Sequence, residues 1–201
     1  ESFLEKKKKI NNKVYMVTDD KDIKIIFKNS VKLYSVNAKD LVECFLNGYS
    51  NSNQDIFYHK GINIDIKEQF YTISNKNVIR GMHFQFPPYN HEKLVSCLSG
   101  SILDVVLDLR KSSDTYGKFD VFELNGSDGN NIYIPSGIAH GFLSLEDNSC
   151  VLYSTSTVHK VEADSGIHWD SFDFSWKCDN PIISKRDQEH IAFSYFESPF
   201  L

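Results

Sequence analysis

From residue 62 onward the chain breaks into short segments in which apolar and polar residues alternate: "INIDI", "FYTI", "KLVSCL", "SILDVVLDL", "KFDVFEL", "NIYI", "HGFLSL" and "CVLYSTSTV". A period of two puts successive side chains on opposite faces, which suits half-buried strands and cannot build an apolar helical stripe. Turn formers lie between these segments, and Ser99-Gly100, Asn125-Gly126 and Asp128-Gly129 suit tight hairpins. Many short strands separated by turns predict an all-β sandwich or barrel. Upstream, "VYMVT" and "IKIIF" read as strands, and "NAKDLVECFL" places Leu41, Val42, Phe45 and Leu46 on one helical face that Asn37 can cap. The final segment, "NPIISKRDQEHIAFSYFESPFL", reads as irregular structure or a short helix.

With 201 residues, 41% of them hydrophobic, the chain can bury one core. We read a single domain: an extension over residues 1–60, a β core over 61–175 and a terminal segment over 176–201. The net charge of −5 gives no support to a nucleic-acid or membrane-surface role. No apolar run approaches the roughly 18 residues of a membrane span. The opening "ESFLEKKKKINNK" has a basic cluster, Lys6 to Lys9, without an apolar segment behind it, and so reads as a solvated terminus rather than a signal peptide. Lacking an initiator Met, the numbering can begin inside a longer chain. Cys44, Cys97, Cys150 and Cys178 show no C-x-x-C pairing; free thiols, buried at Cys97 and Cys150, and a reducing cytoplasm are the expectation.

Residues 80–100, "RGMHFQFPPYNHEKLVSCLSG", hold an arginine, two histidines and a lysine in a β region. Such groups are costly to bury, so they mark either a solvated edge or the wall of a cavity for a charged ligand. Residues 129–140, "GNNIYIPSGIAH", narrow the architecture: Gly129, Pro135, Gly137 and His140 stand at the spacing of the second motif of the cupin jelly-roll barrels, which this segment resembles. In metal cupins the partner motif has a His-x-His pair and a glutamate; here that pair is absent, and Lys93 stands at the glutamate position, seven residues before Gly100. A lysine supplies a fixed cation and no carboxylate ligand, so a metal-free double-stranded β-helix is expected. On its own, His140 would be an ordinary core histidine.

The order "VIRGMHFQ", "KLVSCLSGSILDVVLDLR", "YGKF", "IPSGIAHGFLSL", "VLYSTSTV" and "GIHWD" closely resembles the dTDP-4-dehydrorhamnose 3,5-epimerase family over about residues 66–187. That resemblance implies a homodimeric jelly-roll enzyme without cofactor or metal. Its substrate is a nucleotide-linked 4-keto-6-deoxy sugar, inverted at the carbons flanking the ketone. It places the base on His83, the aspartate that orients it on Asp187, the enolate-stabilising lysine on Lys93 and the acid on Tyr153. Arg80 and Arg110 match arginines near the nucleotide diphosphate. Epimerisation beside a ketone needs these chemistries: a base near neutral pH, a partner for the enolate oxygen, and an acid on the opposite face. Singly, each residue has a plainer role: Tyr153 as a core aromatic, Asp187 as a turn or cap, Lys93 snorkelling to solvent, Arg110 paired with Asp108. His59, His91, His168 and His190 are read as ordinary loop residues.

The departures fall on the nucleotide side. The family's early D-x-R-G-x-F segment has no counterpart in residues 1–60, Glu68 stands where a glutamine is usual (Gln69 is adjacent), and His159 replaces an aromatic that stacks on the base. At roughly 3.3 Å per residue, the six residues from Tyr153 set His159 about 20 Å away on the same strand face, which suits contacts at opposite ends of a nucleotide sugar. The resulting expectation is an epimerase inverting C3 and C5 of a nucleotide-linked 4-keto-6-deoxyhexose, the dTDP form, in deoxysugar supply for surface polysaccharide, with Glu68, His140 and His159 among the substrate contacts. The alternatives are a single-carbon epimerase on another nucleotide-linked keto sugar and a non-catalytic sugar-binding cupin. A metal-dependent cupin is disfavoured by the missing ligand pair.

Overall fold

The computed structural model describes residues 64–128 and 130–201, with the backbone of Tyr15–Val17. The expected strand "IKIIF", the expected helix "NAKDLVECFL", the expected extension as a whole, Cys44, His59 and Gly129 lie outside these residues, apart from that one short strand. In chain order the strands are β1 (Tyr15–Val17), β2 (Glu68–Ser74), β3 (Val78–Gln85) and β4 (Lys93–Ser99). They continue as β5 (Ser101–Asp108), β6 (Phe119–Asn125), β7 (Asn131–Ile134) and β8 (Ile138–Ser144). The last are β9 (Ser149–Thr155), β10 (Asp164–Gly166) and β11 (Ile182–Ile183), before a single-turn helix α1 (Lys185–Gln188). The expected alternating segments are therefore strands, except "INIDI": residues 64–66 join no ladder, and pairing begins with the Lys67 N–H donating to the Thr155 carbonyl at 2.8 Å.

The strands form a five-stranded sheet, β1-β7-β4-β9-β2, and a second sheet, β10-β3-β8-β5-β6, to which β11 adds in parallel beside β3. Consecutive strands often lie in different sheets, the arrangement of a jelly roll. This corrects the hairpin reading of the glycine turns. Ser99-Gly100 links β4 to β5, and the turn containing Asn125-Gly126 and Asp128 links β6 to β7; each carries the chain from one sheet to the other. Glycine is needed at these corners because backbones meet there: the Gly126 N–H donates to the Gly100 carbonyl at 3.0 Å. The Pro135–Gly137 turn does the same between β7 and β8, with Gly137 at φ +84°.

Two apolar layers follow from the alternation. Val95, Ile102, Val106, Phe122, Ile132, Phe142 and Val151 fill the space between the sheets. Val105, Leu107, Leu143, Ile79 and Met82, one position out of phase, form the other face of the second sheet, where Ile167, Trp176 and Phe200 pack with Trp169, Phe172, Phe174, Phe193 and Phe196. The second sheet is thus buried on both sides, which is why β8 is buried along its whole length. The terminal segment is the cover of that sheet. It carries α1 inward, with Ser184 capping the helix by accepting from the Asp187 N–H.

Gly100 tests this corner packing. It sits at φ +74°, and a Cβ there would stand 2.5 Å from Ser149 Oγ and 2.8 Å from Ser149 Cα. Strain in the left-handed region adds to that clash. Gly100→Ala is expected to destabilise the fold by about 1–3 kcal/mol in denaturant titration; a variant within about 0.5 kcal/mol of wild type would contradict the packing of this corner.

Candidate active site

A cavity of about 420 Å³ opens between the sheets. The alternation of strands β2 and β9 aims Glu68, Phe70 and Thr72, and opposite them Tyr153 and Thr155, into it; Phe70 and Tyr153 are register partners and stack with centroids 4.7 Å apart. Lys93 enters from the start of β4, and Arg80 and His83 from β3, with His140 from β8. His159, Asp164 and Arg186 complete the part of the lining that bears on the chemistry.

His83 owes its direction to a break in the β3 ladder. The register with β8 shifts between Arg80 and His83, and such bulges re-aim side chains. Gly81 lies in the break at φ +135°, where a Cβ would overlap Gly141 Cα on β8, so only glycine fits. The freed Gly81 N–H donates to Asp187 Oδ2 at 3.2 Å, while Asp187 Oδ1 bonds His83 Nε2 at 2.7 Å. Burial would raise the Asp187 carboxyl, but the two histidines beside it and the Gly81 amide hold it well below the usual range. It is a carboxylate, so His83 Nε2 carries the proton and Nδ1 is left as the basic nitrogen. Burial lowers the His83 pKa, and the Asp187 carboxylate only partly restores it. The imidazole is neutral at neutral pH.

Lys93 is buried, and its Nζ donates to the His83 carbonyl at 3.1 Å. Burial brings its pKa down to about 8, against the pull of Asp164 and Asp104. It remains a cation at pH 7, within the cavity. Tyr153 has the opposite character: burial pushes its phenol far above the ordinary value, with Asp104 adding to the shift and Arg80 opposing it. The phenol stays protonated.

His140 lines the cavity with its Nε2 bonded to Asp104 Oδ2 at 2.7 Å, both residues buried, and stands edge-on to Tyr153 at 6.0 Å. Burial raises the Asp104 pKa, with His140 opposing. Arg80 is steadied by Ser74 Oγ at 3.0 Å. Glu68 and His159 meet through the His159 N–H donating to Glu68 Oε2 at 2.8 Å. His159 is not on a strand, however. Strand β9 ends at Thr155 and the chain bends at residues 156 and 157, so the expected 20 Å strand-face spacing does not apply. Arg110 is the expected contact that does not line the cavity. Asp108 holds it, with Nε–Oδ1 at 2.9 Å and Nη2–Oδ2 at 2.7 Å, and Ser113 and Thr115 donate to the same carboxylate.

Two histidines read as ordinary loop residues do lie outside strands and helices, but both border the site. His91 lines the cavity. Gln85 Oε1 accepts from the Lys160 N–H at 2.6 Å, so its Nε2 must be the donor to His91 Nδ1 at 3.0 Å, leaving the His91 proton on Nε2. Burial, then Lys93, lowers the His91 pKa to about 2. The available signal was its place two residues before Lys93, just ahead of β4. His190 reaches Asp187 from three residues further on, a helical spacing. His168, by contrast, stays in a turn, its Nδ1 accepting from the Asp170 N–H at 3.3 Å. Among the described residues, the histidine, cysteine and acidic side chains close enough to share a metal ion are His83, Asp187 and His190, with ligand atoms within 4.8 Å of one another; here the first two are joined directly.

The family model described as dTDP-4-dehydrorhamnose 3,5-epimerase matches residues 43–194. A dTDP-4-dehydrorhamnose 3,5-epimerase from Shigella flexneri is 35% identical over 150 residues, covering 72% of this chain and 83% of that one. The crystal structure of the Bacillus anthracis dTDP-4-dehydrorhamnose 3,5-epimerase with TDP and PPi bound is 28% identical, with a TM-score of 0.67 over 76% of this chain and 83% of that one. A dTDP-6-deoxy-D-glucose-3,5-epimerase from Legionella pneumophila, solved in complex with dTDP-4-keto-L-rhamnose, is 25% identical with a TM-score of 0.68 over 75% and 80% of the two chains. On the extent of these matches, this chain belongs to the dTDP-4-dehydrorhamnose 3,5-epimerase family.

Proposed function

We propose that the protein inverts C3 and C5 of a dTDP-linked 4-keto-6-deoxyhexose by proton transfer through an enolate. One observation carries the reading: His83 projects from one sheet and Tyr153 from the other, into the same cavity, which the buried Lys93 also lines from β4. A sugar ring held between the sheets meets a base on one face and an acid on the other.

The steps follow from the protonation states. His83 Nδ1 takes the proton α to the ketone, and Asp187 stabilises the imidazolium that forms. The electron pair of the broken C–H bond moves into the enolate, whose oxygen Lys93 holds by a charge-assisted hydrogen bond. Tyr153 returns a proton to the opposite face and is left as a phenolate, which Arg80 helps to stabilise. Once the imidazolium has released its proton to solvent and the phenolate has regained one, the same sequence on the other side of the ketone inverts the second carbon. No cofactor or metal enters. Arg80, Glu68 and His159 are the proposed contacts to the nucleotide side, and His140, held by Asp104, is the proposed contact edge-on to Tyr153. Bound dTDP-4-keto-L-rhamnose in the Legionella structure supports the substrate class.

The same reading includes a cytoplasmic homodimer in deoxysugar supply. Tyr71 and Ile73, 60% and 56% exposed, form an apolar outer surface on β2 at the edge of the five-stranded sheet, which supports association. Among the described residues no helix is long and apolar enough to cross a membrane.

Incubation of dTDP-4-keto-6-deoxyglucose in deuterated water, read by mass and NMR, tests the chemistry. Wild type is expected to label both C3 and C5. His83→Asn should suppress exchange by about 10²- to 10⁴-fold. Tyr153→Phe should exchange with retained configuration, the deuteron returning from the histidine side. Label at one carbon in wild type would reduce the activity to single-carbon epimerisation. Near-normal exchange in His83→Asn would remove that residue from the mechanism, and tight binding without exchange would mark a binding protein.

The Lys93 ammonium fixes the alkaline side of the pH profile. Its charge is present below about pH 8 and lost above it. With His83 needed neutral, kcat/KM should rise through the acid range, plateau near neutrality and fall above about pH 8. EDTA should leave the plateau unchanged, whereas Lys93→Ala should lower it by about 10²-fold or more. Loss of activity on chelation, restored by a transition metal, would contradict the role given to Lys93.

A further inference from the structure

The carboxylate that orients the base has a second histidine beside it, which the proton relay does not use. His190 Nε2 stands 3.6 Å from Asp187 Oδ1, the oxygen that His83 bonds at 2.7 Å. The two imidazole rings are edge-on, with centroids 5.6 Å apart and planes at 76°. The structure fixes the backbone on both sides of His190. On one side Ser184 caps α1; on the other, Ile191 bridges Ile167 and its carbonyl accepts from the His168 N–H at 2.8 Å. Gly166, the register partner of His83 on β10, makes room for the ring: a Cβ there would stand 2.6 Å from both Cδ2 and Nε2 of His190.

His190 Nε2 is buried and makes no hydrogen bond. A ring lone pair aimed at a carboxylate at this distance would be repelled, so Nε2 carries a proton and turns the positive end of its N–H toward Asp187. We propose that His190 is a positioning residue that shares the Asp187 carboxylate with His83 and thereby limits how strongly that carboxylate draws a proton onto the base. The inference rests on the reading of His83 as the base.

The sign follows from the charges around His83. Asp187 favours the imidazolium, while Arg186 on α1 and Lys93 on β4 oppose it. Asp164 on β10 is tied to Arg186 at 2.9 Å. The His190 N–H draws on the one group that favours the imidazolium. Without it the negative charge of Asp187 falls wholly to His83, the protonated ring is better held, and the base becomes neutral only at higher pH.

Two readouts of His190→Phe and His190→Gln test this: the NMR titration of the His83 ring without substrate, and kcat/KM against pH. In His190→Phe both the His83 midpoint and the acid limb should move up by about half a unit to one unit, with KM on the plateau unchanged. His190→Gln, whose amide can still donate, should shift less than half as far. If His190→Phe fails to fold, His190→Leu supplies the apolar case. A midpoint that stays put or moves down in a folded apolar variant overturns the proposal, as does an equal shift in both variants. Because the ring titration needs no substrate, it judges the sharing of Asp187 even if the wild type fails to epimerise the keto sugar, a result that would sink the functional reading instead.

Discussion

The 2.7 Å hydrogen bond between His83 and Asp187 joins residues 104 apart in the chain, and the architecture around it is arranged to make that bond. Asp187 arrives on a single helical turn that has little stability of its own. What holds the turn in place is the aromatic cover of the second sheet, where Trp176, Phe193, Phe196 and Phe200 bury the segment on either side of it. His83 arrives through a register break that only glycine at position 81 permits. The Gly81 amide freed by that break satisfies the second oxygen of the same carboxylate. Packing, bulge and hydrogen bond are therefore one construction, and its product is a histidine of fixed tautomer with a free basic nitrogen.

The electrostatics divide the cavity by role. Burial acts on three ionisable groups and keeps each in the form that the proposed reaction needs: it lowers His83 to a neutral base, raises Tyr153 to a protonated acid, and lowers Lys93 only to about 8, where it is still a cation. A buried cation is expensive unless something compensates it. Here Asp164 and Asp104 do so at a distance, and the His83 carbonyl accepts directly from Nζ. A transient enolate would find the missing counter-charge already facing it.

The strands were legible because apolar residues recur at every second position, from the "FYTI" of β2 to the "VLYST" of β9. The corners were not. Ser99-Gly100 and Asn125-Gly126 have the composition of hairpin turns, and nothing local in them says that the flanking strands lie in different sheets; that depends on how the two apolar layers close. Within the site, His83, Lys93, Tyr153 and Asp187 were placed by the family resemblance, and the first three stand together in the cavity or on its wall. Asp187 could not have been placed by spacing, since a carboxylate in "SKRD" looks like any surface turn until the aromatic cover folds it in. His91 and His190 were missed although each is close in sequence to a site residue, two before Lys93 and three after Asp187. Arg110 shows the converse: beside its match to a family arginine the sequence offered the plainer pairing with Asp108 two residues away, and that pair is formed.

The central claim is that a keto sugar lies between the sheets with its ketone on Lys93 and its two faces toward His83 and Tyr153. A crystal structure with dTDP-6-deoxyglucose, which has a hydroxyl in place of the ketone and cannot enolise, measures this directly. O4 is expected within hydrogen-bond reach of Lys93 Nζ, about 2.7–3.2 Å. His83 Nδ1 is expected to face C3 and C5 from one side and the Tyr153 hydroxyl to face them from the other. A sugar lying outside the barrel, or one with His83 and Tyr153 on the same face of the ring, would contradict the central claim.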